Sequence, residues 1–247
     1  RFDAGSKEGT VMATTHFRNG VSNQEPGNPL FEYPYLDPFK YYSYVNDFFI
    51  YTAGDWTITT TEGGSGNASE ALTSVAGGAL LVTNDDADND ADFFNLKGES
   101  FAYSSTKNMF FKARFKVSDA TQSDIVMGLQ ITDTTPLDVS DGIFFQKDDG
   151  DANLDFHIEK DNSATTDSAI STLSDDTFVT VAFHYNPNGN AGSGSFSLYV
   201  DDSKVAEQTT LTNVPDDEEL TVSFGIQNGA AAAKTMTVDY IIAAVER

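Results

Sequence analysis

Aspartates recur at every second position in residues 85–92 (DDADNDAD), at Asp86, Asp88, Asp90 and Asp92. Alternating carboxylates open many calcium loops, because a hard divalent cation gathers oxygen ligands from successive positions. The EF-hand version also needs glycine at its sixth position and glutamate at its twelfth. Counted from Asp86, those positions hold Ala91 and Lys97, so that motif fails. A second acidic turn, DDGDAN at residues 148–153, carries Asp149 and Asp151. A less regular calcium site at Asp86, Asp88 and Asp90, or at Asp149 and Asp151, would relieve crowded like charges; solvated acidic turns are the alternative reading. No other cofactor is indicated. Cysteine is absent, and His16, His157 and His184 are far apart, which excludes thiolate chemistry and argues against structural zinc. No G-x-S-x-G elbow and no phosphate-cradling G-x-x-x-x-G-K-[ST] occurs; the GGSG at residues 63–66 has no lysine after it.

The other unusual constellation is aromatic. Ten aromatic residues fall between Leu30 and Tyr51: Phe31, Tyr33, Tyr35, Phe39, Tyr41, Tyr42, Tyr44, Phe48, Phe49 and Tyr51. Pro26, Pro29, Pro34 and Pro38 interrupt the approach and the run itself, which predicts an extended, non-helical strap over residues 22–45. A strap this apolar needs a surface to lie on. It either seals an edge of its own domain or docks in trans, on a sister subunit or another protein. Burying one aromatic side chain is worth about 1.5–3 kcal/mol, so a few of them make a strong anchor. The interface residues expected on this reading are Phe31, Tyr33, Tyr35, Phe39, Tyr41, Tyr42 and Tyr44.

The formal charge is −24, and residues 1–45, with four basic and five acidic residues, carry −1 of it. The remaining −23 on residues 46–247 repels phosphate backbones and anionic headgroups, so neither nucleic acid nor membrane is an expected partner. No apolar run approaches the ~20 residues that span a bilayer, and the first ten residues lack the apolar stretch of a secretory signal.

From Phe48 onward the hydrophobic period becomes 2. In residues 108–117 (NMFFKARFKV), Met109, Phe111, Ala113, Phe115 and Val117 share one face, and Lys112, Arg114 and Lys116 the other. Residues 177–185 and 220–227 alternate likewise, and residues 235–245 are expected to put Met236, Val238, Tyr240 and Ile242 on one side. Further strands are expected at 55–60, 79–83, 92–96, 124–132, 142–147, 153–160, 194–200 and 204–208, separated by Asp-, Asn-, Gly- and Pro-rich turns. About a dozen strands without intervening helices predict an all-β sandwich. The expected organisation is an extended N-terminal arm over residues 1–45 and one β-sandwich over 46–247, with the first strand starting near Phe48. Trp56, the only tryptophan, is expected to anchor the core.

The order of these strands resembles the concanavalin A-like (laminin-G-like) jelly roll, a sandwich of two antiparallel sheets. FKARFKVSD, DGIFFQK, residues 177–201 ending in LYVD, and the terminal TVDYI carry the likeness. Laminarinase-type members of that fold carry E-x-D-x-E or E-x-D-x-x-E for retaining glycoside cleavage. The nearest spacing here is NLDFHIE, where Asn153 and His157 stand at the two carboxylate positions. An amide is no carboxylate nucleophile, so the chain is expected not to be an enzyme. A longer resemblance, from Met12, is to virion structural proteins of tailed and often marine phages. It rests on MATTHFRNG, KARFKVSDATQSDIVMGLQITDTTP and DDEELTVSFGIQNGAAAAKTMTVD. It implies a capsid-associated protein: a decoration or cement protein on the outer capsid surface, bound to the major capsid protein and self-associating as a homotrimer. The alternative is a lectin-like glycan-binding or host-attachment protein.

Overall fold

The computed structural model of the chain describes residues 38–66 and 68–247. Phe31, Tyr33 and Tyr35 lie outside the described residues. The strands, in chain order, are β1 (Tyr41–Asn46), β2 (Trp56–Thr61), β3 (Ser69–Leu72), β4 (Leu80–Thr83), β5 (Ala91–Leu96), β6 (Phe101–Ala102), β7 (Met109–Val117) and β8 (Ser123–Gln130). They continue with β9 (Gly142–Lys147), β10 (Asn153–Lys160), β11 (Ser163–Thr172), β12 (Val179–Asn186), β13 (Ser195–Val200), β14 (Ser203–Gln208), β15 (Glu219–Asn228) and β16 (Thr235–Glu246). They form two antiparallel sheets of eight strands. Sheet A runs β14-β13-β12-β7-β16-β4-β3, with β1 also on β16; sheet B runs β11-β10-β9-β8-β15-β5-β2, with β6 also on β15. This is the expected all-β jelly-roll sandwich of the concanavalin A-like type. No described helix is long and apolar enough to cross a membrane.

Alternation explains how the sheets meet. Phe111 and Phe115 of β7, with Phe183 of the neighbouring β12, share one continuous core with Met127 of β8, Phe145 of β9 and Phe156 of β10 from the other sheet. The lysines and arginine of β7 remain on its outer face, where Arg114 and Lys116 sit over the Phe178 ring. Trp56 is buried edge-on against Phe94 and Phe224, as an anchor of that core.

Three local readings are corrected. The first strand is Tyr41–Asn46, not one starting at Phe48, so it crosses the boundary expected between residues 45 and 46. It pairs along its whole length with β16, and Phe48 instead plugs the core from a bend at φ 45°. In β16 the pairing with β7 shifts between Val238 and Tyr240. Past that bulge Ile241, Ala243 and Val245 face the core rather than Tyr240 and Ile242, because one extra residue reverses the alternation. Strands β3 and β11 were not expected; both are edge strands with largely exposed side chains, which leave little hydrophobic period to read.

Sheet B also carries apolar residues on its outer side. Ala91, Phe93, Val126 and Phe144 form a second cluster with Val139, and Ile131 and Leu137 pack on it. Glycine makes room there: a Cβ on Gly128 would lie 2.5 Å from the Phe144 Cα, and one on Gly225 would lie 2.4 Å from Phe93 Cδ1. The loop over residues 131–141 closes above the cluster. It is held by the Ile131 N–H on the Asp141 carbonyl (3.1 Å) and by the Gln130 side-chain amide on the Pro136 carbonyl (2.9 Å).

Candidate functional site

The aromatic run predicted as an attachment surface reaches the structure at the β1 edge. Phe39, Tyr41, Tyr42 and Tyr44 are described. Phe39 is exposed just ahead of β1, and the three tyrosines are half-buried within it. Along β1, Tyr42 and Tyr44 turn inward against the core, while Ser43 and Val45 face solvent. After β1 the chain bends through 47–50 and makes a 3-10 turn at Ala53–Asp55, which delivers Trp56 to β2. These segments, with residues 96–101, enclose two adjoining hollows. One, of about 660 Å³, lies between Tyr44, Ile50, Asp55, Trp56 and Lys97. The other, of about 260 Å³, lies between Tyr42, Ser43, Lys97 and Phe101. Lys97 borders both, its ammonium donating to the Gly54 carbonyl at 2.8 Å.

The tyrosines are fixed in place. Tyr44 stands edge-on to Trp56 at 6.2 Å and accepts a hydrogen bond from the Asn46 side-chain amide at 2.9 Å. Tyr42 lies 6.0 Å from Phe101, under the Arg247 guanidinium. Burial pushes both phenols above their ordinary value, so both are neutral hydroxyls at physiological pH. They can stack and hydrogen-bond; they are not nucleophiles. Val45 and Ile50, which line the larger hollow, are 49 and 77% exposed, and Phe39 and Phe49 on either side of β1 in the chain are 73 and 71% exposed. Sequence reading did not anticipate Ile50, Trp56, Leu96 and Lys97 as groove residues, because they come together only where the two sheets meet.

The acidic candidates are arranged differently. Asp85 and Asp90 are buried and act as caps for a glycine-rich turn: Gly66 N–H bonds Asp85 at 2.7 Å and Gly63 N–H bonds Asp90 at 2.5 Å. The other oxygen of Asp90 accepts the Ala87 N–H at 2.8 Å. Asp86 and Asp88 are exposed. Asp149 and Asp151 are exposed on a small cleft of about 190 Å³ with Asp148, Asn153 and Asp155. Among the described residues no group of three or more histidines, aspartates and glutamates is placed to hold a metal ion.

Strand β10 sets Asn153, Asp155, His157 and Glu159 on the outer face of sheet B. His157 stacks on Phe144 at 5.4 Å, and burial lowers its pKa. Burial, with Asp138 and Asp141 nearby, raises that of Glu159. Asp155 accepts the Ala169 N–H at 2.6 Å. The sequence-spaced carboxylates and imidazole therefore do share one face.

No protein-family model matches the chain, and a search of curated proteins returns no match. Solved structures of similar fold do exist. An endo-1,3-beta-glucanase from Streptomyces sioyaensis superimposes with a TM-score of 0.58 at 11% identity, over 84% of this chain and 97% of the glucanase. A protein of unknown function from Shewanella oneidensis MR-1 gives 0.56 at 16% identity, over 84% and 87%. The potassium-bound carbohydrate recognition domain of Emp46p gives 0.53 at 12%, over 81% and 94%. At such identities the likeness establishes the fold. It also corrects the expectation that this chain is not an enzyme: glucanases share its scaffold, so the missing motif carboxylates no longer exclude activity.

Proposed function

We propose that the chain is a structural protein of a tailed-phage virion, attached to the outer capsid surface through its N-terminal aromatic segment, with the acidic sandwich turned to solvent. The observation that carries this reading is the concentration of exposed Phe39, Val45, Phe49 and Ile50 at the β1 edge of a chain with a formal charge of −24. Exposed apolar side chains grouped at one place mark a docking surface. The charge favours the outside of a capsid over contact with packaged DNA. The partners on this reading are the major capsid protein and further copies of the chain, with a homotrimer as the assembly. Quantifying the chain against the major capsid protein in purified particles tests it. A copy number comparable to the capsid protein is expected; a handful of copies would overturn it.

A second reading, glycan binding for host attachment, draws on the larger hollow. There Tyr44, Asn46 and Asp55 place hydrogen-bonding groups beside aromatic rings. Trp56 lines that hollow and is the only tryptophan, so its fluorescence reports occupancy directly. A saturable spectral shift with β-glucan oligosaccharides is the expected result, and an unchanged spectrum would remove this reading.

A further inference from the structure

Cations are scarce in this chain, 14 against 38 acidic residues, and most of the described ones are neutralised. Lys112, Arg114, Lys116, Lys160, Lys204 and Lys234 each hold an aspartate or a glutamate. Among the described residues Lys97 forms no ion pair. Its ammonium has one partner there, the Gly54 carbonyl at 2.8 Å, and keeps N–H groups to spare where the two hollows adjoin.

The hollows differ in charge. Lys97 is the only charged side chain lining the smaller one, with Tyr42, Ser43, Ser100 and Phe101 around it. Arg247 lies over the Tyr42 ring at 5.8 Å, and Glu219 is the acid whose charge reaches that tyrosine. The larger hollow holds Asp55, whose charge reaches Tyr44 and adds to burial in keeping that phenol protonated. Tyr44 accepts from Asn46, so its own O–H is left to donate. Asp55 and Lys97 line this hollow together without forming an ion pair. Opposite charges held apart across one hollow suit a ligand that brings an anion to the ammonium and hydroxyl donors to the carboxylate.

We infer that the adjoining hollows bind an acidic glycan, with a uronate carboxylate on Lys97 in the smaller hollow and the hydroxyls of the next sugar against Asp55 and Tyr44 in the larger. This rests on the glycan-binding reading and names its substrate class. The hollows, of about 660 and 260 Å³, together fall in the range of small-molecule sites. Val45, Ile50 and Leu96 supply an apolar wall for the C–H face of a pyranose, beside Trp56. A carboxylate on an ammonium makes a charge-assisted hydrogen bond, roughly twice as strong as a neutral one, so a single uronate separates acidic from neutral glycans. Repulsion from the acidic chain does not override this contact. At physiological ionic strength exposed charges beyond about 8 Å are largely screened, and no acid lines the smaller hollow.

Titration of the purified full-length protein, followed by Trp56 emission and by calorimetry, tests this with three probes: oligoglucuronate, the neutral cello-oligosaccharide of the same length, and tetraglutamate. Oligoglucuronate is expected to bind about tenfold or more tightly than the neutral sugar, and to weaken as salt is raised. Lys97→Met should abolish that margin while leaving the neutral sugar's affinity and the thermal midpoint unchanged, and Lys97→Arg should keep it. Equal binding of the acidic and neutral sugars would overturn the uronate assignment and leave glycan binding standing. A margin that survives Lys97→Met would place the anion elsewhere. Tighter binding of tetraglutamate than of oligoglucuronate would give the hollows to acidic peptides instead. No heat and an unchanged spectrum with all three probes would remove glycan binding altogether.

Discussion

On the outer side of sheet B, Phe93, Val126 and Phe144 lie under the 131–141 loop, which contributes Leu137 and Val139 to the same cluster. At the β1 edge, Val45, Phe49 and Ile50 are just as apolar and lie open. Both surfaces are outside the main core, so their hydrophobicity alone does not separate them. What differs is the chain nearby. The loop over sheet B is tied down by backbone and side-chain hydrogen bonds, including the Thr132 N–H on Glu99 at 2.6 Å, and can therefore act as a lid. No comparable described segment reaches over β1. An apolar patch that the fold covers contributes to stability; one left open is available for association.

Substitutions should separate the two surfaces. Phe144→Ala removes a buried ring from the covered cluster and is expected to cost about 3–5 kcal/mol, roughly 10 °C in thermal midpoint by calorimetry. A loss as small as that of a surface residue would mean the lid is not closed. Next in size is Lys147, buried with its ammonium on the Thr121 and Ser123 carbonyls. Lys147→Met keeps the bulk but takes the ammonium from the Ser123 carbonyl, while Thr121 keeps the Gly150 N–H, for an expected loss of about 1–3 kcal/mol in urea unfolding.

Asp92 sharpens the contrast from the open side. It is buried on β5 next to β2, with one oxygen on the Thr60 hydroxyl at 2.5 Å and the other unpartnered. Burial, with Glu70 and Glu62 nearby, raises its pKa to about 6. A raised carboxyl value means that the fold favours the neutral form. Its contribution is complete below about pH 4 and is lost as pH climbs through 6. Asp92→Asn should therefore match the parent near pH 4 and exceed it at pH 7, by about 2–4 °C if the gain is near 1 kcal/mol. An advantage that is larger at pH 4 would contradict this. The smallest effect on folding is expected at the open patch. Ile50→Ser should change stability by less than about 0.5 kcal/mol while reducing binding to capsids, measured by co-sedimentation. A large loss of stability would show that Ile50 is covered after all.

Much of the sandwich was legible because burial on one face writes period 2 into the chain. Gly142–Lys147 and Asn153–Lys160 came out with the bounds expected, and Met109–Val117 with the expected faces. The edge strand β11 was not legible, since exposed and half-buried residues alternate along it with little apolar content. Nor was β1, where Tyr41, Tyr42, Tyr44 and Val45 are apolar on both faces; that reads as a strap, although its last five residues, 41–45, belong to a paired strand. The acidic run around Asp86–Asp92 looked like a cation loop. Two of its carboxylates, those of Asp85 and Asp90, are satisfied by backbone N–H groups of a turn 19 and 27 residues earlier, a pairing with no local signal.

Sequence alone determined the fold class, the placement of the acidic charge and the unusual character of the aromatic segment. Those follow from period, composition and proline, which act over a few residues. Tertiary structure decided where that segment becomes a strand, that a bulge near Asp239 reverses the inward face of β16, and which apolar patch is roofed and which is open. Each of these depends on what lies across a sheet or beyond an edge, at sequence separations that local patterning does not encode.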